Sequence, residues 1–195
     1  MQATTAPTPI WQRRCAVTRR TQSGFSLLEA LVSIVVLSFG LLGVAGLQAS
    51  ALKYSRDARN QAIAVNLARE MAEMIRSNIT ESAGGGGKYL YQMAAVTPAT
   101  SPCLPAACAN TGDLAQAQKN DWLTRVSQAL PGAWAAICAD ETPYDKYGVP
   151  QWACSGSGNI IAIKLGWERE DHAGNVQAAN VRPYVTLPVT PAGQQ

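Results

Sequence analysis

The run LLEALVSIVVLSFGLLGVAGL, residues 27–47, limits most sharply what this chain can fold into. It holds a single charged side chain, Glu29, among 21 residues. About 20 apolar residues cross a bilayer as a helix. A helix apolar on every side needs lipid, other apolar helices or a deep core around it. A buried core helix of a soluble protein is the alternative reading; the length of the run and its one charge favour a membrane span. The carboxylate is then a puzzle. A charge near the middle of a bilayer costs roughly 2.5–3.5 kcal/mol on insertion scales.

Charge is distributed unevenly around this run. The chain of 195 residues carries a net charge of +3. Arg13, Arg14, Arg19 and Arg20 all precede Gly24, and no acidic residue does. Without those four arginines, 12 basic residues face 13 acidic ones. The basicity therefore belongs to the leader, and the remainder lacks the broad positive surface that nucleic acid requires. The leader differs from an ordinary secretory signal, in which a small-residue cleavage site follows the apolar stretch. Here Gln22, Ser23 and Gly24 come before it. Arginines ahead of the span favour a cytoplasmic N-terminus, although Lys53, Arg56 and Arg59 flank the other end. The reading is a membrane-anchored chain with its C-terminal domain outside the cytoplasm.

Cysteine usage agrees with that placement. Cys15 lies in the leader, and the rest of the chain holds Cys103, Cys108, Cys138 and Cys154. Four cysteines allow three connectivities. No Cys-x-x-Cys occurs and His172 is the only histidine, which argues against a zinc site. Disulfides in an oxidising compartment are the better reading. Proximity in the sequence pairs Cys103 with Cys108 and Cys138 with Cys154.

The stretch SGFSLLEALVSIVVLSFGLLGV resembles the class III leader and N-terminal helix of type IV prepilins and type II secretion pseudopilins. The likeness rests on a basic leader ending in Gly24, then Phe25, then Glu29 inside an apolar helix. It covers about the first quarter of the chain. The resemblance implies cleavage after Gly24 by a prepilin peptidase, and N-methylation of the new terminus at Phe25. It also implies that Glu29 pairs with the terminal amine of a neighbouring subunit and so sets the register of a filament. Within one chain that amine lies about 6 Å along the helix axis from Glu29. A carboxylate snorkelling to the headgroups is the competing account of Glu29. Major pilins usually carry a proline where this chain reads GVAG, residues 43–46.

Beyond the apolar run, residues 49–77 contain neither proline nor glycine, and Ile63, Leu67, Met71, Met74 and Ile75 recur at helical spacing. One long helix is expected, its second half amphipathic up to residue 82, where AGGGG breaks it. TPATSPCLPAAC reads as an irregular loop. In GDLAQAQKNDWLTRVSQALPGA, Leu114, Trp122, Leu123, Val126 and Leu130 are expected on one helix face, with Pro131-Gly132 as the stop. NIIAIKLGWERE and VQAANVRPYVTLP read as strands joined through DHAGN, with Ile161, Ile163, Leu165 and Trp167 on one buried sheet face. The expected organisation is a cleaved leader (1–24), a membrane and filament-core helix (25–48), its amphipathic half (49–82) and a disulfide-bonded head (83–195). The fold class is α+β, a type IV pilin fold with a long helix packed on a small antiparallel sheet.

No catalytic residues, metal ligands or cofactor site are assigned. His172 has no nucleophile near it in sequence, and GGGG lacks the lysine and preceding strand of a phosphate loop. The helix ending in LPG and the segments after it resemble PilV-type minor pilins. That resemblance implies a subunit of type IV pilus initiation and assembly, near the filament tip, supporting twitching motility or adhesion. The implied partners are the peptidase/methyltransferase, the major pilin, other minor pilins and the inner-membrane assembly platform. A minor pseudopilin of a type II secretion system is the alternative. A DNA-uptake tip pilin would need clustered cations, whereas Lys88, Lys119, Arg125, Lys146, Lys164, Arg169 and Arg182 are scattered.

Overall fold

The computed structural model describes residues 24–82, 87–103, 107–171 and 175–191. Most of the leader with Cys15, the glycines 84–86 and His172 lie outside the described residues. The chain divides into two units, 1–48 and 49–195. Helix α1 (Leu27–Ser77) begins in the first and ends in the second.

In the first unit the described residues are all exposed, among them every large apolar side chain from Phe25 to Leu47. The second unit is built around the later part of α1. Ala64, Leu67, Ala68, Met71, Ala72 and Ile75 are buried, a stripe at three- and four-residue spacing, with Ile63 and Met74 packed beside it. The expected stripe is present, and alanines widen it by letting neighbours approach closely. α1 stops at Ser77, short of the expected 82. Asn78 breaks it and accepts from the Glu81 amide to start the four-residue α2 (Ile79–Ser82).

After β1 (Tyr91–Ala95) comes helix α3 (Thr111–Ala129). Asn110 caps α3, its side chain accepting from the Asp113 amide at 2.8 Å. Trp122, Leu123 and Val126 form its buried face, continued by Leu130. Leu114 departs from expectation, being 42% exposed. Nine residues separate it from Leu123, two and a half turns, so the two point in opposite directions; Ala115 takes the inward position. The Trp122 indole donates to the Leu67 carbonyl of α1 at 2.8 Å. Pro131-Gly132 ends the helix as expected. Gly132 has φ +54°, and a Cβ there would strike the Glu168 side chain.

Strands β2 (Trp134–Ala139) and β3 (Ile161–Gly166) follow, then the short hairpin β4 (Arg169–Glu170) and β5 (Val176–Gln177), then β6 (Val185–Val189). The main sheet is antiparallel in the order β1-β2-β3-β6, and β4 pairs only with β5. The hairpin through DHAGN is thus present, but as a separate ribbon. The partners of β3 are β2 and β6. Cross-strand neighbours Ile137, Ile163 and Leu187 stand on the face that meets the helices, with Ala135, Leu165 and Val185 beside them. This α+β arrangement is the expected fold class.

Only one face of β3 was expected to be buried; the structure buries both. Ala162, Lys164 and Gly166 alternate with the isoleucines and lie under the β2–β3 connection, residues 140–160. The Trp152 ring packs where a Cβ on Gly166 would sit. Lys164 is fully buried, its ammonium donating to the Asp140 carboxylate at 2.6 Å and to the carbonyls of Ala153 (2.6 Å) and Trp152 (3.4 Å). The other carboxylate oxygen of Asp140 accepts from the amides of Thr142 and Ser155. Three donors meet three acceptors, the condition under which a buried charge is tolerated. Removing one partner strands the other. Lys164→Ala or Asp140→Ala should each cost about 3–5 kcal/mol in denaturant unfolding with the disulfides intact. A loss below about 1 kcal/mol, the range of an exposed pair, would contradict this assignment.

Candidate functional site

Gly24, Phe25 and Ser26 precede α1 in non-helical, exposed conformation. The Ser26 carbonyl accepts from the amides of Glu29 (3.0 Å) and Ala30 (3.2 Å), so the carboxylate stands in the first helical turn. That is the positive end of the helix dipole, where unsatisfied amides favour an anion. Among the described residues Glu29 forms no ion pair. The remaining polar side chains nearby are satisfied internally. Ser33 donates to the Glu29 carbonyl at 2.8 Å and Ser38 to the Ile34 carbonyl at 2.7 Å, a pattern that hides hydroxyls from apolar surroundings. What remains is a cylinder of exposed apolar side chains with one carboxylate in its first turn, and that carboxylate has no ion-pair partner among the described residues.

In the second unit Cys103 is joined to Cys108, and Cys138 to Cys154. The first bridge closes the loop ahead of α3, where the Cys103 sulfur also contacts the Asp113 carbonyl. The second ties the end of β2 to the connection that covers the sheet. Asp140 lies near the sulfurs of Cys138 and Cys154, but its carboxylate is committed to Lys164 and the sulfurs to each other.

The seven cations expected to be scattered over the head are partly engaged. Arg125 pairs with Glu70 (2.5 Å) and Asp121 (2.9 Å), and the Glu70 hydrogen bond holds its guanidinium above the usual range. Arg169 pairs with Asp57 at 3.1 Å, and Lys164 is the buried residue described above. Lys119 donates to the Leu90 carbonyl, and burial, aided by Lys88, lowers its pKa. Burial raises Tyr89 and Tyr91. Asn78, the first residue of an Asn-Ile-Thr sequon, donates to the Thr111 carbonyl and caps α2. Sequence reasoning missed Asp140 and the Trp122 indole. The only signal for Asp140 was the odd lysine within IAIKLG.

The chain thus combines an exposed helical segment, apolar on all sides, with an α+β head. Comparison with known proteins gives that combination a family. The type IV pilin Tt1218 family model matches residues 46–119, and the prokaryotic N-terminal methylation motif matches residues 19–45. The chain is a type IV pilin-like protein, a pilin or pseudopilin. No curated protein and no solved structure matches it. With both bridges formed, alkylation of the native, unreduced chain should label Cys15 alone, and nothing once the leader is removed. Labelling of two or four further thiols would contradict the pairing; each bridge is worth about 2–4 kcal/mol.

Proposed function

We propose that this protein is a minor pilin that takes part in initiating and assembling a type IV pilus. The observation that carries the reading is the exposed apolar helix with Glu29 in its first turn. In this account a peptidase of the inner membrane cuts after Gly24 and methylates the amine of Phe25. The helix holds the subunit in the bilayer, N-terminus cytoplasmic and head periplasmic, until the filament takes it up. There the apolar side chains exchange lipid for neighbouring helices, and Glu29 meets the Phe25 amine of an adjacent subunit. A buried carboxylate is stable in such a core only when paired. The head then stands near the tip, where it serves motility or adhesion. The helix ending at Leu130-Pro131-Gly132 and the bridged head support a pilus subunit over a secretion pseudopilus subunit.

Two measurements test this reading. The intact mass of the working protein should correspond to a chain that begins at methylated Phe25, and a bulky residue at Gly24 should leave full-length protein in the membrane. Met1 retained on the functional protein would contradict it. Filaments sheared from the cell surface should contain the protein; its absence there, with retention in the periplasm, would favour the pseudopilin.

A further inference from the structure

Helix α1 changes the chemistry of its covered face partway along. From Ala64 onward that face is apolar and buried, whereas between residues 49 and 62 no residue is buried. Only Lys53, Asp57 and Asn60 are half-buried there, at four- and three-residue spacing, so they continue the same stripe in polar form. What meets this polar stretch is the β4–β5 hairpin, which has no apolar hold of its own. Trp167 and Ala179, at its two ends, are buried, but none of the described residues between them is. The hairpin pairs with no strand of the main sheet.

Hairpin and helix are joined through charge. Arg169 donates to the Asp57 carboxylate at 3.1 Å, and Lys53 donates to the Asp171 carbonyl and lies 3.7 Å from the Glu170 carboxylate. The ion-paired side chains remain 26–61% exposed. Clefts of about 420 and 520 Å³ share these residues and are lined in all by four cations and four carboxylates, so the charges balance without an outside ligand. An ion pair this exposed shifts an equilibrium by at most about fivefold, and salt screens it. The apolar burial that begins at Ala64 does not depend on charge. Arg169 also has a second partner: its guanidinium lies 5.0 Å from the Tyr184 ring centre, a cation–π contact that does not involve α1.

We propose that this seam is an ionic clasp, a conformational device that opens and closes while the core beginning at Ala64 stays packed. When closed, the Asp57–Arg169 pair and the Lys53 contacts fasten residues 53–60 of α1 to the hairpin. When open, the hairpin lifts from α1 about its buried ends, Trp167 and Ala179, with Arg169 kept on Tyr184. Ionic strength sets the balance between the two states. Every residue involved lies within the second unit, so the clasp is independent of the pilus reading.

The test places spin labels on both sides of the seam, in the full chain with Cys15→Ser, Ala58→Cys and Val176→Cys held in zwitterionic micelles. Both labelled positions are exposed, and the other four cysteines are bridged. Dipolar EPR should show one short, narrow distance at about 0.01 M KCl and a growing longer population toward about 1 M, as the screening length falls from about 30 to about 3 Å. At low salt Asp57→Asn should raise the longer population by up to about fivefold, and Asp57→Arg combined with Arg169→Asp should return it to the parent value. The near-UV circular dichroism of the buried tryptophans should stay constant throughout. A distance indifferent to salt would overturn the clasp and show a fixed contact; this arm needs no charge variant and stands even if one harms folding. A salt response that Asp57→Asn does not share would overturn the assignment to the Asp57–Arg169 pair. Longer distances that appear only with loss of the tryptophan signal would overturn the clasp as well, because the core would then be opening with the seam.

Discussion

Fourteen large apolar side chains between Phe25 and Leu47 are exposed, and everything else about this protein has to accommodate them. Burying a Val, Leu, Ile or Phe side chain is worth about 1.5–3 kcal/mol, so the set amounts to something on the order of 20–40 kcal/mol. Against that, the penalty for placing one carboxylate in a bilayer, roughly 2.5–3.5 kcal/mol, is small. Glu29 therefore does not decide whether the helix enters lipid. In the function proposed here Glu29 has its task in another environment, where a paired carboxylate distinguishes one register of packed helices from the rest.

The head solves the opposite problem, which is to cover a small sheet on both faces. α1 and α3 cover one face with Leu67, Met71, Ile75, Trp122 and Val126. The other has no helix. It is closed by the β2–β3 connection, which the Cys138–Cys154 bridge and the Lys164–Asp140 pair fasten at neighbouring points. Because this face is made of small residues around one lysine, Ala162, Lys164 and Gly166, the loop carrying Trp152 can lie close against it, with the backbone of Ala179 and Arg182 completing the cover over Gly166. Each fastening closes a connection that would otherwise lose little by opening.

Which parts of this were legible in the sequence follows from how local their causes are. The helical stripe of α1 and the stop at Pro131-Gly132 depend on neighbours within a turn or two, and both could be read. Leu114 falls outside the expected face because nine positions place it half a turn out of phase with Leu123. β1 and β2 escaped notice because YQMAA and WAAICA offer no clear alternation. Lys164 looked like a surface cation because its partner, Asp140, lies 24 residues earlier and is brought to it only by strand pairing. The N-terminal segment was readable for a different reason. Its properties are local to some thirty residues, and the methylation-motif match falls on the same stretch.

The central claim is that Glu29 acts between subunits rather than within one. It is tested most directly by comparing wild type and Glu29→Ala, at matched expression, for membrane level, cleavage and incorporation into filaments. The account predicts a processed, folded, membrane-resident variant that fails to enter or prime filaments, because a neighbour's amine would be left unpaired in an apolar core. Normal incorporation of Glu29→Ala would contradict it.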